Sequence, residues 1–287
     1  MDVRRIQPLL AAHGLPESGV GVIPGGWASW TFDVAGEYIL RIARTDEIAR
    51  CHRKEARLLP ALAREVGFEV PVPKWTGTFH GHEYMLYPRL AGRGIRVGDN
   101  LASLSDCLRQ LHGFDLRTAE GLVDTEASPR VWRKQYEQTW SWVDAMIVPV
   151  LDDETAQQVR QRYTAMLASI EQMTPTFVHA DLGAEHVLVN GDGEVTAIID
   201  FETATIGDPA IDFVGVLAAF GHRATAQVIA GYGAPIAWER LHFYWWMGSV
   251  HAIKYGIDSD DRAIVADGIA GLQRRLREIE RWSSAAA

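Results

Sequence analysis

The stretch that decides the fold runs over residues 177 to 213 and reads Phe177-Val-His-Ala-Asp-Leu-Gly-Ala-Glu-His-Val-Leu-Val-Asn-Gly-Asp-Gly-Glu-Val-Thr-Ala-Ile-Ile-Asp-Phe-Glu-Thr-Ala-Thr-Ile-Gly-Asp-Pro-Ala-Ile-Asp-Phe213. It predicts a loop that carries His179 and Asp181, then His186, and then two short apolar strands joined by a turn. Asp200 follows the second strand. The stretch therefore gathers two carboxylates and two histidines around one predicted hairpin.

Phosphoryl transfer from a nucleotide requires such a set of side chains. Asp181 is the candidate catalytic base, because a carboxylate beside the attacking hydroxyl orients it and accepts its proton. Asp200 is the candidate principal ligand of Mg²⁺, since it ends an apolar strand where an unpaired carboxylate is costly. The alternatives are a loop-capping Asp181 and an ordinary strand-end Asp200. The pattern predicts a kinase.

His186 is the candidate second metal ligand. Magnesium prefers oxygen donors, so an imidazole ligand is unusual, and a hydrogen bond to Asp181 or to a phosphate is the alternative. We expect His179 to support the loop by hydrogen bonding. Glu185 and Glu202 are expected to be solvated or to lie behind the ligands.

Composition indicates a soluble globular protein of 287 residues, 47% hydrophobic and 23% charged. A net charge of −9 argues against nucleic acid as a partner and is compatible with a cationic substrate, or with solubility alone. Cys51 and Cys107 are too few for a disulfide framework. No apolar run approaches the roughly 18 residues of a membrane span, and the first residues lack an apolar signal core. We therefore expect a cytoplasmic protein that does not bind membranes.

The order of predicted elements is strands first and helices afterwards. Residues 20–45 read as a β-meander, 46–65 as a helix, and 70–78 and 84–87 as further strands, with a linker at 91–94. Later helices are predicted at 101–114, 132–148, 154–173, 209–221, 222–232, 237–255 and 260–282. We predict an α+β, bilobal, protein-kinase-like fold. Residues 1–90 would form a nucleotide-binding lobe, and residues 91–287 a catalytic and substrate-binding lobe.

Three blocks in the opening stretch carry a resemblance to a known family. They are His179-Ala-Asp181-Leu-Gly-Ala-Glu-His186, Ile199-Asp200-Phe201 and Gly207-Asp-Pro-Ala-Ile-Asp-Phe213. The chain resembles the aminoglycoside phosphotransferase family over roughly residues 20 to 255. A histidine at position 186 is similar to the branch of aminoglycoside 2''-phosphotransferases and macrolide 2'-phosphotransferases, whereas most members have Asn there.

The resemblance implies roles for two charged residues of the first lobe. In such kinases a basic residue on the third strand pairs with a helix glutamate and touches the α- and β-phosphates. Arg41 and Glu55 occupy these places, although Lys is the commoner basic residue. The bulkier guanidinium leaves two alternatives, a phosphate contact or only an ion pair with Glu55. The resemblance also implies that Asp212 fixes the catalytic loop by accepting backbone hydrogen bonds, and we expect Asp208 to be structural.

The nucleotide would also be held by two further segments. The resemblance places Gly25, Gly26 and Ser29 in a loop over the phosphates, where backbone amides and the Ser29 hydroxyl would donate hydrogen bonds. The same residues could also form a simple hairpin turn. The segment from Tyr84 to Leu90, which includes Tyr87, would be the hinge whose backbone reads the purine edge, with Met85 as the gatekeeping side chain.

Two groups of side chains are candidates for acceptor binding. The aromatic residues are helical core or a substrate wall; they are Trp132, Tyr136, Trp140, Trp142, Phe243, Tyr244, Trp245 and Trp246. The acidic run is a solvated loop or a receptor for ammonium groups; it comprises Asp258, Asp260 and Asp261.

These observations favour a small-molecule antibiotic kinase that uses Mg²⁺ and ATP or GTP to phosphorylate an aminoglycoside hydroxyl and so confers resistance. The alternatives are a macrolide 2'-phosphotransferase and a kinase of an ordinary metabolite. A non-catalytic nucleotide-binding protein is a further alternative, against which the intact Asp181 and Asp200 argue. The expected partner is a small-molecule antibiotic, and the protein is expected to be a monomer or homodimer.

Overall fold

The computed structural model describes residues 1–24, 28–123 and 125–286. Gly25 and Gly26 of the predicted phosphate loop lie outside these residues. Two compact units make up the chain. The first unit contains Met1–Asp124 and Glu185–Ala204, and the second contains Thr125–Ala184 and Thr205–Ala287. These units are defined by packing, so the division into lobes 1–90 and 91–287 stays a prediction about function.

The strands of the described residues lie mostly in the first unit. They are β1 (Val20–Ile23), β2 (Ser29–Val34), β3 (Tyr38–Ala43), β4 (Trp75–Phe79), β5 (His82–Pro88), β6 (Arg93–Gly94), β7 (Thr176–Val178), β8 (Val187–Val189), β9 (Val195–Ile198) and β10 (Thr205–Gly207).

The helices lie in both units and dominate the second. They are α1 (Val3–Ala12), α2 (Asp46–Leu62), α3 (Leu101–His112), α4 (Leu116–Val123), α5 (Pro129–Trp142), α6 (Asp153–Ile170), α7 (Val214–Tyr232), α8 (Trp238–Asp258) and α9 (Arg262–Ala286). Short 3₁₀ turns flank the hairpin at Ala184–His186, Phe201–Thr203 and Pro209–Phe213.

The first unit is built on a five-stranded antiparallel sheet with the order β1-β2-β3-β5-β4. Its core contains apolar side chains from the sheet and from α1; they are Ile6, Leu9, Leu10, Phe32, Val34, Leu40, Ile42, Tyr84 and Leu86. The strand predicted over residues 70–78 is shorter in the structure, because β4 begins only at Trp75. Pro71 and Pro73 explain the gap, since proline has no amide proton for a strand ladder.

Helix α2 begins where the sequence predicts it and carries the glutamate of the predicted ion pair. The Thr45 hydroxyl caps its first turn by accepting a hydrogen bond from the Ile48 amide at 3.3 Å. One face of α2 buries Leu58, Leu59 and Glu55. A carboxylate therefore points into the same interior as the leucines, where it needs a cationic partner.

The hairpin of residues 187–198 belongs to the first unit. Strands β6, β8 and β9 form a three-stranded sheet in that order, so the predicted linker at 91–94 in fact supplies an edge strand. On the opposite side, the Glu69 amide donates to the Thr196 carbonyl at 2.8 Å. His186 enters this hairpin and Asp200 leaves it, so both lie at its same end.

The second unit is mainly helical, with β7 and β10 paired antiparallel beside the loop of Asp181. Helix α8 is buried along most of its length, and α9 packs against it. The sequence predicts a helix boundary near residue 221, and α7 is broken there by Gly221 at φ 79°. The predicted helix 132–148 is shorter in the structure, since α5 ends at Trp142 and a π-turn follows over Val143–Ile147.

One helical segment of the described residues, Pro209–Tyr232, is long and apolar enough to span a membrane by length and composition. A single segment of this kind is weak evidence for a membrane span, because core helices of soluble proteins can have the same length and composition.

Candidate active site

In the first unit, Arg41 is surrounded by three carboxylates. Its Nη1 lies 3.3 Å from Glu55 Oε1 and 3.3 Å from Asp200 Oδ1, and its Nη2 lies 2.6 Å from Glu202 Oε2. We call these four residues the Arg41 cluster. Only 10% of the Arg41 side chain is exposed, so these ion pairs are poorly screened by water. The pair that the family resemblance implies, Arg41 with Glu55, lies at contact distance.

The electrostatics of the Arg41 cluster reflect burial and an excess of negative charge. Burial lowers the pKa of Arg41, but the carboxylates of Glu55, Asp200 and Glu202 more than offset this and raise it above its ordinary value. Burial raises the pKa of Glu55 to about 7, against the opposing effect of Arg41. Burial also raises the pKa of Glu202. The cluster is therefore a place where additional positive charge would be stabilising.

The ion pair between Glu202 and Arg41 was not predicted from the sequence. We expected a solvated residue or one behind the ligands, yet its carboxylate makes the shortest of the contacts to Arg41. Lys54 of α2 donates to the backbone carbonyls of Glu202 at 2.6 Å and of Ala204 at 2.8 Å. Helix α2 thus holds Arg41 through Glu55, and it holds the turn after Asp200 through the neighbouring lysine.

Asp200 and His186 lie together at the end of the hairpin. His186 Nε2 is 3.7 Å from Asp200 Oδ2, and Asp200 has the left-handed backbone conformation, with φ 69°. The buried Oδ1 of Asp200 makes no hydrogen bond within the described part of the chain, although Arg41 Nη1 lies beside it. Strained non-glycine residues and unsatisfied buried polar atoms both occur often at functional sites. Asp200 combines the two features, which is consistent with a role in binding a ligand.

The residues present fit a magnesium ion held partly by other ligands. Within residues 1–24, 28–123 and 125–286, no group of three or more His, Cys, Asp or Glu side chains is arranged to hold a metal. Magnesium does not need such a cage, because it commonly takes one or two protein ligands and fills its shell with phosphate oxygens and water. Asp200 and His186 could supply those protein ligands.

Ser29 begins β2, directly after the predicted phosphate loop. Its hydroxyl is buried and lies 3.0 Å from Nε2 of His52 on α2. Burial, aided by the charge of Arg41, lowers the pKa of His52 to about 3 and keeps the imidazole neutral. A hydrogen bond from Ser29 to a phosphate would compete with this internal contact, and the role of Ser29 stays a prediction.

The predicted hinge residues lie on β5, next to the strand of Arg41. Met85 is opposite Arg41 in the β3–β5 ladder and is fully buried. Tyr87 is opposite Ile39 and half-buried. Burial raises the pKa of the Tyr87 hydroxyl to about 12, an effect that the nearby Arg41 guanidinium opposes. Nucleotide binding by Met85 and Tyr87 stays a prediction.

In the second unit, the loop after β7 presents Asp181 to solvent. Asp212 is fully buried beneath this loop; its Oδ2 accepts a hydrogen bond from the His179 amide at 2.8 Å, and its Oδ1 one from the Ala180 amide at 2.7 Å. His179 is also fully buried, and its Nδ1 accepts from the Asp181 amide at 3.3 Å. The expected supporting roles of Asp212 and His179 are confirmed.

Ala180, between His179 and Asp181, has a strained backbone conformation. Its φ is 67°, which a residue with a Cβ atom adopts only at an energetic cost. The first turn of α7 also approaches the loop closely, because a Cβ atom placed on Gly215 would overlap the Leu182 carbonyl oxygen. The backbone around Asp181 is therefore fixed from both sides.

Asp208 has a structural role, as expected. It is fully buried and accepts hydrogen bonds from Arg240 Nε at 2.5 Å, from the Tyr244 hydroxyl at 2.9 Å and from the Ala210 amide at 3.1 Å. The Trp132 indole in turn donates to the Tyr244 hydroxyl at 2.9 Å. This network ties α5 and α8 to the segment between β10 and α7.

Most of the aromatic candidates belong to the core. Trp132, Phe243, Tyr244, Trp245 and Trp246 are buried, which confirms the core interpretation for these five. The half-buried members are Tyr136, Trp140 and Trp142.

The acidic run is exposed and is engaged locally. Asp258 pairs with Lys254 one helical turn away, and Asp261 caps α9 by accepting from the Ala263 amide at 2.9 Å. Asp260 adopts φ 52° in the connecting turn. These contacts favour the solvated-loop interpretation over a receptor for ammonium groups.

The predicted site residues are divided between the compact units. Arg41, Glu55, His186 and Asp200 lie together in the first unit, whereas Asp181 lies in the second. Arg41, Glu55, His186 and Asp200 are residues predicted to bind phosphate or metal, and Asp181 is the residue predicted to act on the acceptor.

Comparison with known proteins decides the family. Residues 20–244 match the family model described as the phosphotransferase enzyme family, abbreviated APH. The chain belongs to this family. The prediction of a phosphotransferase that acts on a hydroxyl group is thereby confirmed, as is the resemblance drawn from the residues around Asp181 and Asp200.

Individual relatives match along nearly the whole chain. Viomycin phosphotransferase from Streptomyces vinaceus is 25% identical over 278 residues, which cover 91% of this chain and 96% of that protein. The GDP and kanamycin complex of APH(2")-IIia superposes with a TM-score of 0.81 at 22% identity, covering 91% of this chain and 94% of that one. The predicted α+β kinase-like fold is confirmed.

A macrolide enzyme also shares the fold. Macrolide 2'-phosphotransferase MphH from Brachybacterium faecium, as the apoenzyme, superposes with a TM-score of 0.71 at 23% identity, covering 93% of this chain and 97% of that one. Structural similarity at this level of identity does not distinguish aminoglycosides from macrolides as acceptors.

Proposed function

We propose that this phosphotransferase is a Mg²⁺-dependent antibiotic kinase that transfers the γ-phosphate of ATP or GTP to a hydroxyl group of an aminoglycoside. The observation that carries the proposal is the exposed Asp181 on a backbone fixed by buried Asp212. A loop held in this way keeps one carboxylate directed at an acceptor, which is the main requirement of a reaction that depends on positioning.

Asp181 acts on the acceptor. Its carboxylate accepts a hydrogen bond from the attacking hydroxyl, orients the oxygen lone pair towards the phosphorus atom and takes the proton as the new bond forms. The supporting bonds from His179 and Asp212 keep the carboxylate in place through the reaction. An acceptor alcohol thus becomes a phosphate monoester, and the nucleoside diphosphate leaves.

Asp200 and His186 would hold the metal ion. When bound, Mg²⁺ neutralises the charge that develops on the transferring phosphoryl group and its leaving group. The unsatisfied Asp200 Oδ1 and the 3.7 Å separation of the two side chains support this assignment. Arg41, fixed by Glu55, supplies positive charge beside Asp200.

The acceptor assignment rests on charge and on relatives. The net charge of −9 suits a polycationic substrate, because the protein field attracts it before contact. Related proteins are described as bound to kanamycin, gentamicin and streptomycin, and another as a viomycin phosphotransferase. A cytoplasmic location is part of the proposal, since nucleoside triphosphates are abundant there.

A panel assay tests the proposal. Purified protein is incubated with Mg²⁺ and either ATP or GTP, together with kanamycin, gentamicin, streptomycin, viomycin or a macrolide. We expect mass spectrometry to detect a singly phosphorylated aminoglycoside, and Asp181→Ala protein to give none. Nucleotide turnover with no modified aminoglycoside would contradict the acceptor assignment.

Macrolide 2'-phosphorylation is the second candidate. It is favoured by His186 and by the macrolide 2'-phosphotransferases among the structural neighbours. A phosphorylated macrolide in the same panel, with unmodified aminoglycosides, would select this alternative. Modification of no antibiotic by a protein that still binds nucleotide would favour a metabolite kinase.

A further inference from the structure

Both terminal nitrogens of Arg41 are already occupied by carboxylates. Nη1 is shared between Glu55 and Asp200 at 3.3 Å, and Nη2 is held by Glu202 at 2.6 Å. A guanidinium binds phosphate through the same two nitrogens, as a planar fork. The contact to Glu202 therefore competes with any phosphate contact that Nη2 could make.

Glu202 is itself held in place. Its carbonyl accepts a hydrogen bond from Lys54 Nζ at 2.6 Å, and the same ammonium group fixes the Ala204 carbonyl at 2.8 Å. The Glu202 side chain is 20% exposed. Lys54 of α2 thus fixes the backbone of the turn after Asp200, and this turn places the Glu202 side chain against Arg41.

The charged side chains around Arg41 include more acidic than basic groups. When they are ionised, the carboxyl groups of Glu55, Asp200 and Glu202 outnumber the cationic groups of Arg41 and Lys54 by three to two. A nucleotide polyanion without a metal meets this excess, and it also finds Arg41 occupied. The same excess attracts a divalent cation.

We propose that Glu202 is a positioning residue that holds Arg41 away from the phosphates and so makes nucleotide binding depend on Mg²⁺. This inference rests on the proposed function, because it assumes that the nucleotide binds beside Asp200. When the metal is bound, Asp200 is engaged with it and the phosphates arrive already partly neutralised. Without the metal, Glu202 retains Arg41 and the nucleotide binds poorly.

The test is calorimetric titration with ADP and with GDP, each in the presence of Mg²⁺ and of EDTA. For Glu202→Gln we expect about a tenfold gain in metal-free affinity, equivalent to about 1.4 kcal/mol. The affinity with Mg²⁺ should change by less than about threefold, so the ratio of the two dissociation constants falls. Glu69→Gln is the matched control, because it removes one exposed negative charge elsewhere in the first unit and should leave the ratio unchanged.

Glu202→Asp separates positioning from charge. The shorter side chain keeps its charge but withdraws from Nη2, so we expect it to behave like Glu202→Gln. If only Glu202→Gln changed the ratio, charge alone would explain the effect and the positioning role would be overturned. An equal loss of nucleotide affinity with and without Mg²⁺ in both variants would also overturn the positioning role, because damage to the fold would weaken binding equally under both conditions.

Failure of the underlying function gives a different result. If the unmodified protein bound neither nucleotide under any condition, the proposed function would fall and this inference with it. If it bound nucleotide equally well with Mg²⁺ and with EDTA, only the inference would fall. Should Glu202→Gln not fold, as judged from its melting temperature, Glu202→Asp provides the test by itself.

Discussion

Replacement of Asp212 by Asn perturbs the loop of Asp181 without touching the acceptor. Asn has the same shape, but one of the two carboxylate oxygens becomes an amide group. One of the two backbone amides, of His179 or of Ala180, then faces a donor in place of an acceptor. Ala180 is the more sensitive position, since its φ of 67° persists only while the surrounding bonds enforce it.

The magnitude follows from the bonds that are lost. A buried hydrogen bond to a charged group contributes about 1.5–3 kcal/mol, and an unsatisfied buried donor costs about 1–3 kcal/mol. We therefore expect Asp212→Asn to lower the free energy of unfolding by about 3 kcal/mol, a large part of the roughly 5–15 kcal/mol of a typical domain. A shift of about 1 Å in the loop would lower kcat by about 100-fold.

The assay combines urea denaturation with steady-state kinetics on the best acceptor from the panel. Asp192→Asn, in the exposed turn of the hairpin, is the matched control and should change neither quantity. KM for the nucleotide should stay within about threefold of the unmodified value, because the residues proposed to bind metal and phosphate, Asp200, His186 and Arg41, belong to the first unit. An Asp212→Asn protein with unchanged stability and unchanged kcat would refute the reasoning.

Three further predictions address other parts of the molecule. Gly215→Ala should lower kcat at least tenfold and lower the free energy of unfolding by about 1–3 kcal/mol, because its Cβ atom would overlap the Leu182 carbonyl. Gly191→Ala, at an open position, is the control. Equal kinetics in the two variants would contradict the overlap. His186→Asn should retain measurable Mg²⁺-dependent activity while His186→Ala loses most of it, because amide oxygen is also a magnesium ligand; identical losses in both would argue against metal ligation. Burial lowers the pKa of His242 to about 4, so its contribution to stability is complete above about pH 6.5 and is lost as the pH falls towards 4. Over this range the melting temperature should fall less in His242→Gln than in the unmodified protein. Parallel profiles of the two proteins would exclude His242 as the cause of the acid-induced loss of stability.

The local chemistry of the site was predictable because it depends on short spacings in the sequence. A loop, two apolar runs and a turn between residues 177 and 200 are sufficient to predict the hairpin, and the hairpin brings His186 and Asp200 to one end. The family resemblance extended this to the Asp212 contacts. In each case the relevant residues lie within one supersecondary unit or one recognisable pattern.

Contacts between distant segments were not predictable. Glu202 and Arg41 are 161 residues apart, and no spacing rule connects a turn after the hairpin with a strand near the amino terminus. The contact of Ser29 with His52 was missed because each residue is ordinary in its own element. Helix α1 was not predicted, although the sequence contains a signal for it, the capping Asp2 before an apolar pattern.

The most direct test of the central claim measures Asp181→Asn for nucleotide binding and for phosphoryl transfer in the same preparation. We expect calorimetry to give a dissociation constant for the Mg²⁺-nucleotide within about threefold of the unmodified protein, because Asp181 acts on the acceptor. Phosphorylation of the acceptor should fall by at least about 100-fold, the lower range expected for a general base. Transfer at the unmodified rate, with nucleotide binding intact, would contradict the assignment of Asp181 and with it the proposed mechanism.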